Sequence, residues 1–301
     1  MGKTKIAWAT YTFNPWLGCT KVAPECKHCY AESYNKRAGR AEWGDAAERI
    51  ITSPGNWREP LKWNRESEAQ LDRDNNHEPP IVFCASLADV FEDRRELDAP
   101  RQWLFAMVEY TTALTWLLLT KRGDAVERLV PPDWLGDGWP HNVWLGGTYG
   151  HPDSRDNAEA ICAVGARIPV RFVSCEPMLA PVSFDGLLGP GKLTWVIVGG
   201  ESGGNARPFN VPAARRVVRE CRDAKAACFV KQMGSNVEDR NDAGFDGDGK
   251  ASSWPMGTEH DDSPEPICQG DLVRIRLRDR AGADPAEWPA DLRIREWPTP
   301  C

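Results

Sequence analysis

Three cysteines stand close together near the start of the chain, Cys19, Cys26 and Cys29, in the run CTKVAPECKHCY. Thiolates are soft ligands for iron–sulfur clusters and for zinc. The loop from Cys19 is polar and contains Pro24, while the closing CxxC opens a predicted helix over 27–38. Helix-terminal N–H groups favour anionic sulfur. Three is the informative number. A structural zinc site and a ferredoxin-type cluster each take four protein ligands, whereas three cysteines on a 4Fe–4S cluster leave one iron open to a substrate or cofactor. Zinc completed by His28 or a distant ligand, and disulfide pairing, are the alternatives. His28 lies between two of the ligands, which makes it awkward as a fourth; its ring could instead cover a bound cofactor.

A second set of polar residues recurs at the ends of apolar runs. Ser86 and Asp89 follow the run from Ile81. Thr120, Lys121 and Arg122 follow that from Thr115, and Thr148 and Tyr149 that from Asn142. Ser174 and Glu176 end the run from Val170, Gly199, Gly200, Glu201 and Ser202 the run from Leu193, and Lys231 and Gln232 the run from Ala227. Polar groups are costly to bury unless paired or wet, so their recurrence at one end of every run predicts a lined cavity. Strand ends turning polar at a surface is the competing explanation for any single position. The Gly199–Gly200–Glu201 segment permits close backbone approach beside a carboxylate, without the spacing of a dinucleotide fingerprint. Arg122 could fork onto a carboxylate. Asn14, Trp16 and Tyr30 flank the cysteines.

The runs that carry these residues read as parallel strands buried on both faces. IVFCAS, TWLLLT, NVWLGGT, VRFVSCE, LTWVIVGGE and ACFVKQ supply six, and an N-terminal strand is expected within 6–13. Helical patterns at 99–111, 124–130, 154–164 and 212–225 fall between them. Strand–helix alternation of this kind implies right-handed parallel crossovers. The expected fold is α/β, a partial or complete barrel, with catalytic groups at the carboxyl ends of its strands. Residues 1–237 are expected to form the barrel domain, with an insertion near 39–80. Residues 238–301 are expected to form a loop, 238–269, and a β-rich C-terminal appendage in which DLVRIRLRDR pairs with DLRIREWP.

Composition narrows the class. The chain has 301 residues, 41% of them hydrophobic and 27% charged, as in an ordinary globular protein. No apolar run is long enough to span a membrane, and the N-terminus lacks a secretion signal; a cytoplasmic protein is expected. The net charge of −7 gives no global attraction to phosphate backbones, though it leaves room for a local basic groove. Arginines from Arg207 to Arg222 read as a solvated helix face. Cys84, Cys162, Cys175 and Cys228 lie singly in apolar runs and read as small buried hydrophobes. Trp116, Trp144 and Trp195 read as core.

The cysteine run with Tyr30 is followed in order by SLADVFED, LLLTKR, NVWLGGT, FVSCEPMLAPV, WVIVGGESG, FVKQMG and DLRIREWP. Through these segments, which cover nearly the whole chain, the sequence resembles the phage Gp37/Gp68 family, a domain-of-unknown-function family whose members resemble radical S-adenosylmethionine (SAM) enzymes. The resemblance implies a barrel of radical SAM type, a 4Fe–4S cluster on Cys19, Cys26 and Cys29, and SAM as second cofactor. His28, Tyr30, Ser86, Asp89, Arg122, Thr148, Glu176, Gly199, Gly200, Glu201 and Ser202 are its candidate cofactor-binding residues. The usual motif is CxxxCxxC; here six residues separate the first two cysteines, while the trailing CxxC around His28 fits. In radical SAM enzymes a Gly-Gly-Glu segment contacts the amino group of SAM after an early strand, and here it follows a late one.

The expected activity is reductive cleavage of SAM and hydrogen abstraction from a substrate over the barrel mouth, with a nucleotide or modified nucleobase as a candidate. The implied partners are a reducing electron donor and a small-molecule, nucleotide or nucleic-acid substrate, with no membrane. Two rivals stand beside it: an iron–sulfur DNA-processing or repair protein that does not cleave SAM, and a zinc-stabilised nucleic-acid-binding protein.

Overall fold

The computed structural model describes residues 3–241 and 271–300. Along the chain run β1 (Tyr11–Phe13), β2 (Trp16–Leu17), α1 (Tyr30–Ala38), β3 (Ile50–Ile51), α2 (Pro54–Leu71), β4 (Ile81–Cys84) and α3 (Asp98–Tyr110). There follow β5 (Thr115–Thr120), α4 (Val126–Leu129), β6 (Val143–Thr148), α5 (Arg155–Ala163), β7 (Arg171–Cys175) and β8 (Leu193–Gly199). Last come β9 (Phe209–Asn210), α6 (Val211–Asp223), β10 (Ala227–Gln232), β11 (Val237–Asn241) and β12 (Asp271–Ile275).

Seven strands form one parallel sheet in the order β1-β4-β5-β6-β7-β8-β10. The order follows the chain without reversal, as in a barrel rather than a doubly wound sheet. Because β1 and β10 do not pair with each other, the sheet curls without closing. The architecture is therefore α/β with a half-barrel, the partial form of the sequence expectation.

Strand periodicity sorts the side chains into two cores. Val82, Trp116, Leu118, Val143, Leu145, Val173, Val196, Val198 and Val230 pack with helix residues such as Leu104, Val108, Ile161 and Val217. The alternate residues Phe83, Leu117, Trp144, Phe172, Trp195, Ile197 and Phe229 cluster with Trp8 on the opposite, concave face. This period of two explains why the strands read as continuous apolar runs: both faces are covered. Phe172 closes the concave floor over Gly146, where an added Cβ would lie 2.4 Å from ring carbons. Only glycine fits there.

The two open edges are managed differently. Beside β1, Trp63 of α2 stacks on Tyr11 at 4.3 Å between centroids, and Trp57 meets Phe13 edge-on at 5.4 Å. Beside β10, the C-terminal segment bonds through Val230 N to Ile294 O at 2.8 Å and Glu296 N to Cys228 O at 2.9 Å. An edge paired in this way is blunted against association. DLRIREWP thus pairs with the barrel edge and not with DLVRIRLRDR; β12 pairs instead with β11, in antiparallel register from Val237↔Ile275 to Asn241↔Asp271. The loop expected at 238–269 begins as this strand, and its remainder lies outside the described residues. Within the 39–80 insertion the structure has β3 and α2. The first helix starts at Tyr30 and not at residue 27, because 24–26 form a separate 3-10 turn that places Cys29 at the N-cap.

Candidate functional site at the carboxyl ends of the strands

The strand ends and the cysteine loop enclose a cavity of about 420 Å³. Cys19, Cys26 and Cys29 line it together with His28, Tyr30, Ser86, Asp89, Arg122, Thr148, Glu176, Gly200, Glu201 and Ser202. Of the candidate metal- and cofactor-binding residues, Gly199 alone is not part of the lining. It lies behind the Glu176 side chain, whose Cγ would be 3.1 Å from a Cβ at that position. Trp8, Lys21, Glu25, Trp43, Lys121 and Lys231 are also part of the wall.

The six-residue span between Cys19 and Cys26 is pinned to the barrel along its length. Arg122 Nη2 donates to Thr20 O at 2.8 Å. Arg207 Nη1 donates to Pro24 O at 2.8 Å. Glu25 is buried, and its two carboxylate oxygens accept from Gly150 N at 2.8 Å and Ser154 Oγ at 2.9 Å. Behind Thr20, the buried pair Arg49–Glu92 closes the support, with Arg49 Nη2 on Thr20 Oγ1 at 2.8 Å and Glu92 Oε1 accepting from Thr20 N at 3.1 Å. The long loop is therefore an anchored one.

Beside Cys19 lies the ion pair of Arg122 and Asp89, 2.9 Å apart. Asp89 also accepts from Thr120 Oγ1 at 2.8 Å and Lys121 N at 3.1 Å, so its charge is fully hydrogen-bonded. Arg122 Nη1 comes within 3.7 Å of Cys19 Sγ. Burial, with Asp89 adding to it, pushes the Cys19 thiol up to about 12, against the pull of Arg122 toward the thiolate. An added cation at this position inverts that balance, since coordination deprotonates a thiol outright.

Across the cavity, Glu201 is held by Arg207 through Nε at 3.0 Å and Nη2 at 2.6 Å, and by His28 Nδ1 at 3.1 Å. Burial raises the Glu201 carboxyl, yet these hydrogen bonds outweigh it and hold the group below its usual range. Glu176 pairs with Lys231 between the ends of β7 and β10. Gly200 packs so closely on β10 that an added Cβ would lie 2.0 Å from Met233 O. Gly200 of the GGES segment thus serves close backbone approach, while Gly199 makes room for the Glu176 side chain. Tyr30 Oη donates to Ser86 O at 2.7 Å, and Asn14 Nδ2 to Ser86 Oγ at 3.1 Å.

The cysteines Cys19, Cys26 and Cys29 are free thiols, as are Cys84, Cys162, Cys175, Cys221 and Cys228. Among the described residues, no three His, Cys, Asp or Glu side chains converge on one point fit for a metal ion. Glu25, Arg49, Glu92 and Arg207 were not singled out from sequence as site residues. The one local signal in the sequence is an acid within the cysteine loop, Glu25; Arg207 reads there as part of a solvated face. No described helix is long and apolar enough to cross a membrane.

Comparison with known proteins gives one family: a model described as "Protein of unknown function (DUF5131)" matches residues 3–276. No curated protein and no solved structure matches the chain.

Proposed function

The chain belongs to this family of proteins of unknown function, and from its own cavity we propose that it is a radical SAM-type iron–sulfur enzyme. The observation that carries the reading is that three free thiols and ten further sequence-selected residues line one cavity at the carboxyl ends of a parallel half-barrel. On this reading the half-barrel is of radical SAM type, 238–301 is its appendage, and a reducing cytoplasm is its compartment.

The donor set is three thiols in one cavity, and His28, the neighbouring alternative ligand, is engaged with Glu201 through Nδ1. A structural zinc takes four protein ligands. A 4Fe–4S cluster needs thiols spaced around a wider body, each on its own iron. Cys19, Cys26 and Cys29 would hold it, with SAM on the remaining iron; when bound, the pair supplies a hydrogen-abstracting radical.

The chain's own residues have separable tasks. The anchors at Thr20, Pro24 and Glu25 fix the thiol-bearing loop before any group binds, which is preorganisation. Arg122 brings a positive charge to Cys19 and favours its anionic form. Glu201 and Glu176, paired with Arg207 and Lys231, would offer their remaining lone pairs to ribose hydroxyls. Trp8, Phe83 and Leu119 give the cavity an apolar wall that limits water.

Anaerobic reconstitution of the full chain with iron and sulfide, followed by dithionite and SAM, tests the reading. The expected result is four irons per chain and formation of 5′-deoxyadenosine. A reducible cluster without SAM cleavage would favour the DNA-processing alternative, and zinc without iron would overturn the assignment.

A further inference from the structure

The cavity mouth carries a surface that the proposed chemistry does not use. Although the chain as a whole is at −7, the stretch from Cys19 to Arg40 has five basic residues, Lys21, Lys27, Lys36, Arg37 and Arg40, against Glu25 and Glu32. Glu25 is buried and Lys21 pairs with Glu32. Lys27, Lys36, Arg37 and Arg40 remain exposed. The positive face is narrow, for exposed Glu42, Asp45 and Glu48 follow it directly in the chain.

Aromatic rings lie beside Arg37 and Arg40, whereas Lys36, two residues from Tyr34, is on another side of α1. Tyr30 and Tyr34 are one helical turn apart on α1 and are 60% and 44% exposed, so they share a face. The Arg40 guanidinium lies 5.8 Å from the Tyr34 ring centroid. Tyr30 also reaches the cavity, through its lining position and its bond to Ser86 O. Two large exposed rings on one short helix, interleaved with cations, are not the composition of a solvated face.

We propose that this face of α1 and the adjoining cysteine loop bind single-stranded nucleic acid, one unit of which meets the cavity mouth as the substrate. The inference rests on the enzymatic reading of that cavity and names its substrate class. Exposed rings stack on bases of any sequence, and interleaved Lys and Arg track the phosphates. A cavity of about 420 Å³, shared on that reading with the cluster and SAM, excludes a polymer, so the strand lies outside and only the reacting part of one unit reaches the mouth. A duplex keeps its bases stacked and offers Tyr30 and Tyr34 no ring face.

The test uses the reconstituted full chain and a fluorescein-labelled single-stranded oligonucleotide, followed by anisotropy across a salt series. Binding is expected, with affinity falling as salt rises. Tyr34→Ala should weaken it about tenfold. Replacing Arg37 and Arg40 by Ala should lower the log–log salt slope by about one unit for each phosphate no longer neutralised. Arg222→Ala, on the exposed end of α6, should leave binding unchanged. Absence of binding at low salt, indifference to the α1 substitutions, or equal binding of duplex DNA or anionic lipid vesicles would overturn the proposal. Iron is measured on the same samples. Iron without oligonucleotide binding removes this inference alone, and binding without iron removes the cluster reading instead.

Discussion

Arg207 grips both carboxylate oxygens of Glu201, at 3.0 and 2.6 Å, while its remaining nitrogen holds Pro24 O in the cysteine loop at 2.8 Å. One guanidinium thus joins the end of β8 to the span between Cys19 and Cys26. Arg207→Ala leaves a carboxylate that is 8% exposed without its main partner, at an expected cost of about 3 kcal/mol. Arg207→Lys should recover little, since an ammonium cannot fork onto both oxygens and the loop carbonyl. The sign of the pH effect follows from the lowered Glu201 carboxyl. Its contribution is present above the unfolded-state value and is lost as pH falls through the folded one. Urea midpoints across the acid limb should therefore fall less steeply in Arg207→Ala than in the wild type; parallel curves would contradict the pairing.

The second anchor of the loop is neutral on its far side. Glu25 accepts from the Gly150 amide and the Ser154 hydroxyl, so Glu25→Ala strands two donors in a buried place. A loss of about 2 kcal/mol is expected. Glu25→Gln keeps one carbonyl acceptor for the amide and should cost less than Ala. If the loop is preorganised by this contact, both variants should take up iron more slowly than wild type, in the same order as their destabilisation. Equal uptake rates would show that the anchor serves stability alone.

Much of this framework was legible because the information is local. Six of the seven barrel strands are short apolar runs, and the three thiols lie within one short stretch of chain. The polar strand ends could be read as a cavity because a parallel sheet puts every carboxyl end on one side. What escaped was set by tertiary contact. β11 has the sequence VEDRN, which carries no apolar alternation; it is a strand because β9 and β12 flank it. Arg207 looks like its neighbours Arg215 and Arg216 until the fold carries Pro24 and Glu201 to it. Its charge alone cannot distinguish a solvated face from a clamp. DLRIREWP alternates as an edge strand should, but alternation does not name the partner, and the partner is β10.

The concave floor offers a packing test independent of any cofactor. Gly146 lies under the Phe172 ring, with the nearest ring carbons at 2.4 Å from an ideal Cβ, and Phe172 is fully buried. Gly146→Ala should cost about 1–3 kcal/mol through overpacking. Phe172→Leu alone should also destabilise, by leaving unfilled space. Combined, the two should cost clearly less than their sum, because the smaller side chain vacates the volume that the new methyl needs. Additive losses in a double-mutant cycle would place the strain of Gly146→Ala elsewhere.

Cys19 offers a reading of the site's electrostatics in the cluster-free chain. Burial first, then the charge of Asp89, raises its thiol from 9.0 to about 12, while Arg122 opposes the rise. A thiol held protonated in the fold supports stability fully below the ordinary value of 9.0, and this support drains away as pH climbs toward 12. In Cys26→Ser/Cys29→Ser protein, iodoacetamide modification of Cys19, followed by peptide mass spectrometry, should still be accelerating at pH 10 without reaching a plateau. Asp89→Asn removes the second cause and should move the profile to lower pH, with Arg122 left to favour the thiolate. The midpoint, rather than the rate at one pH, separates this shift from simple loosening, which raises the rate without displacing the profile to lower pH. A Cys19 midpoint near that of a free thiol in the parent protein would contradict the burial and the neighbouring carboxylate together.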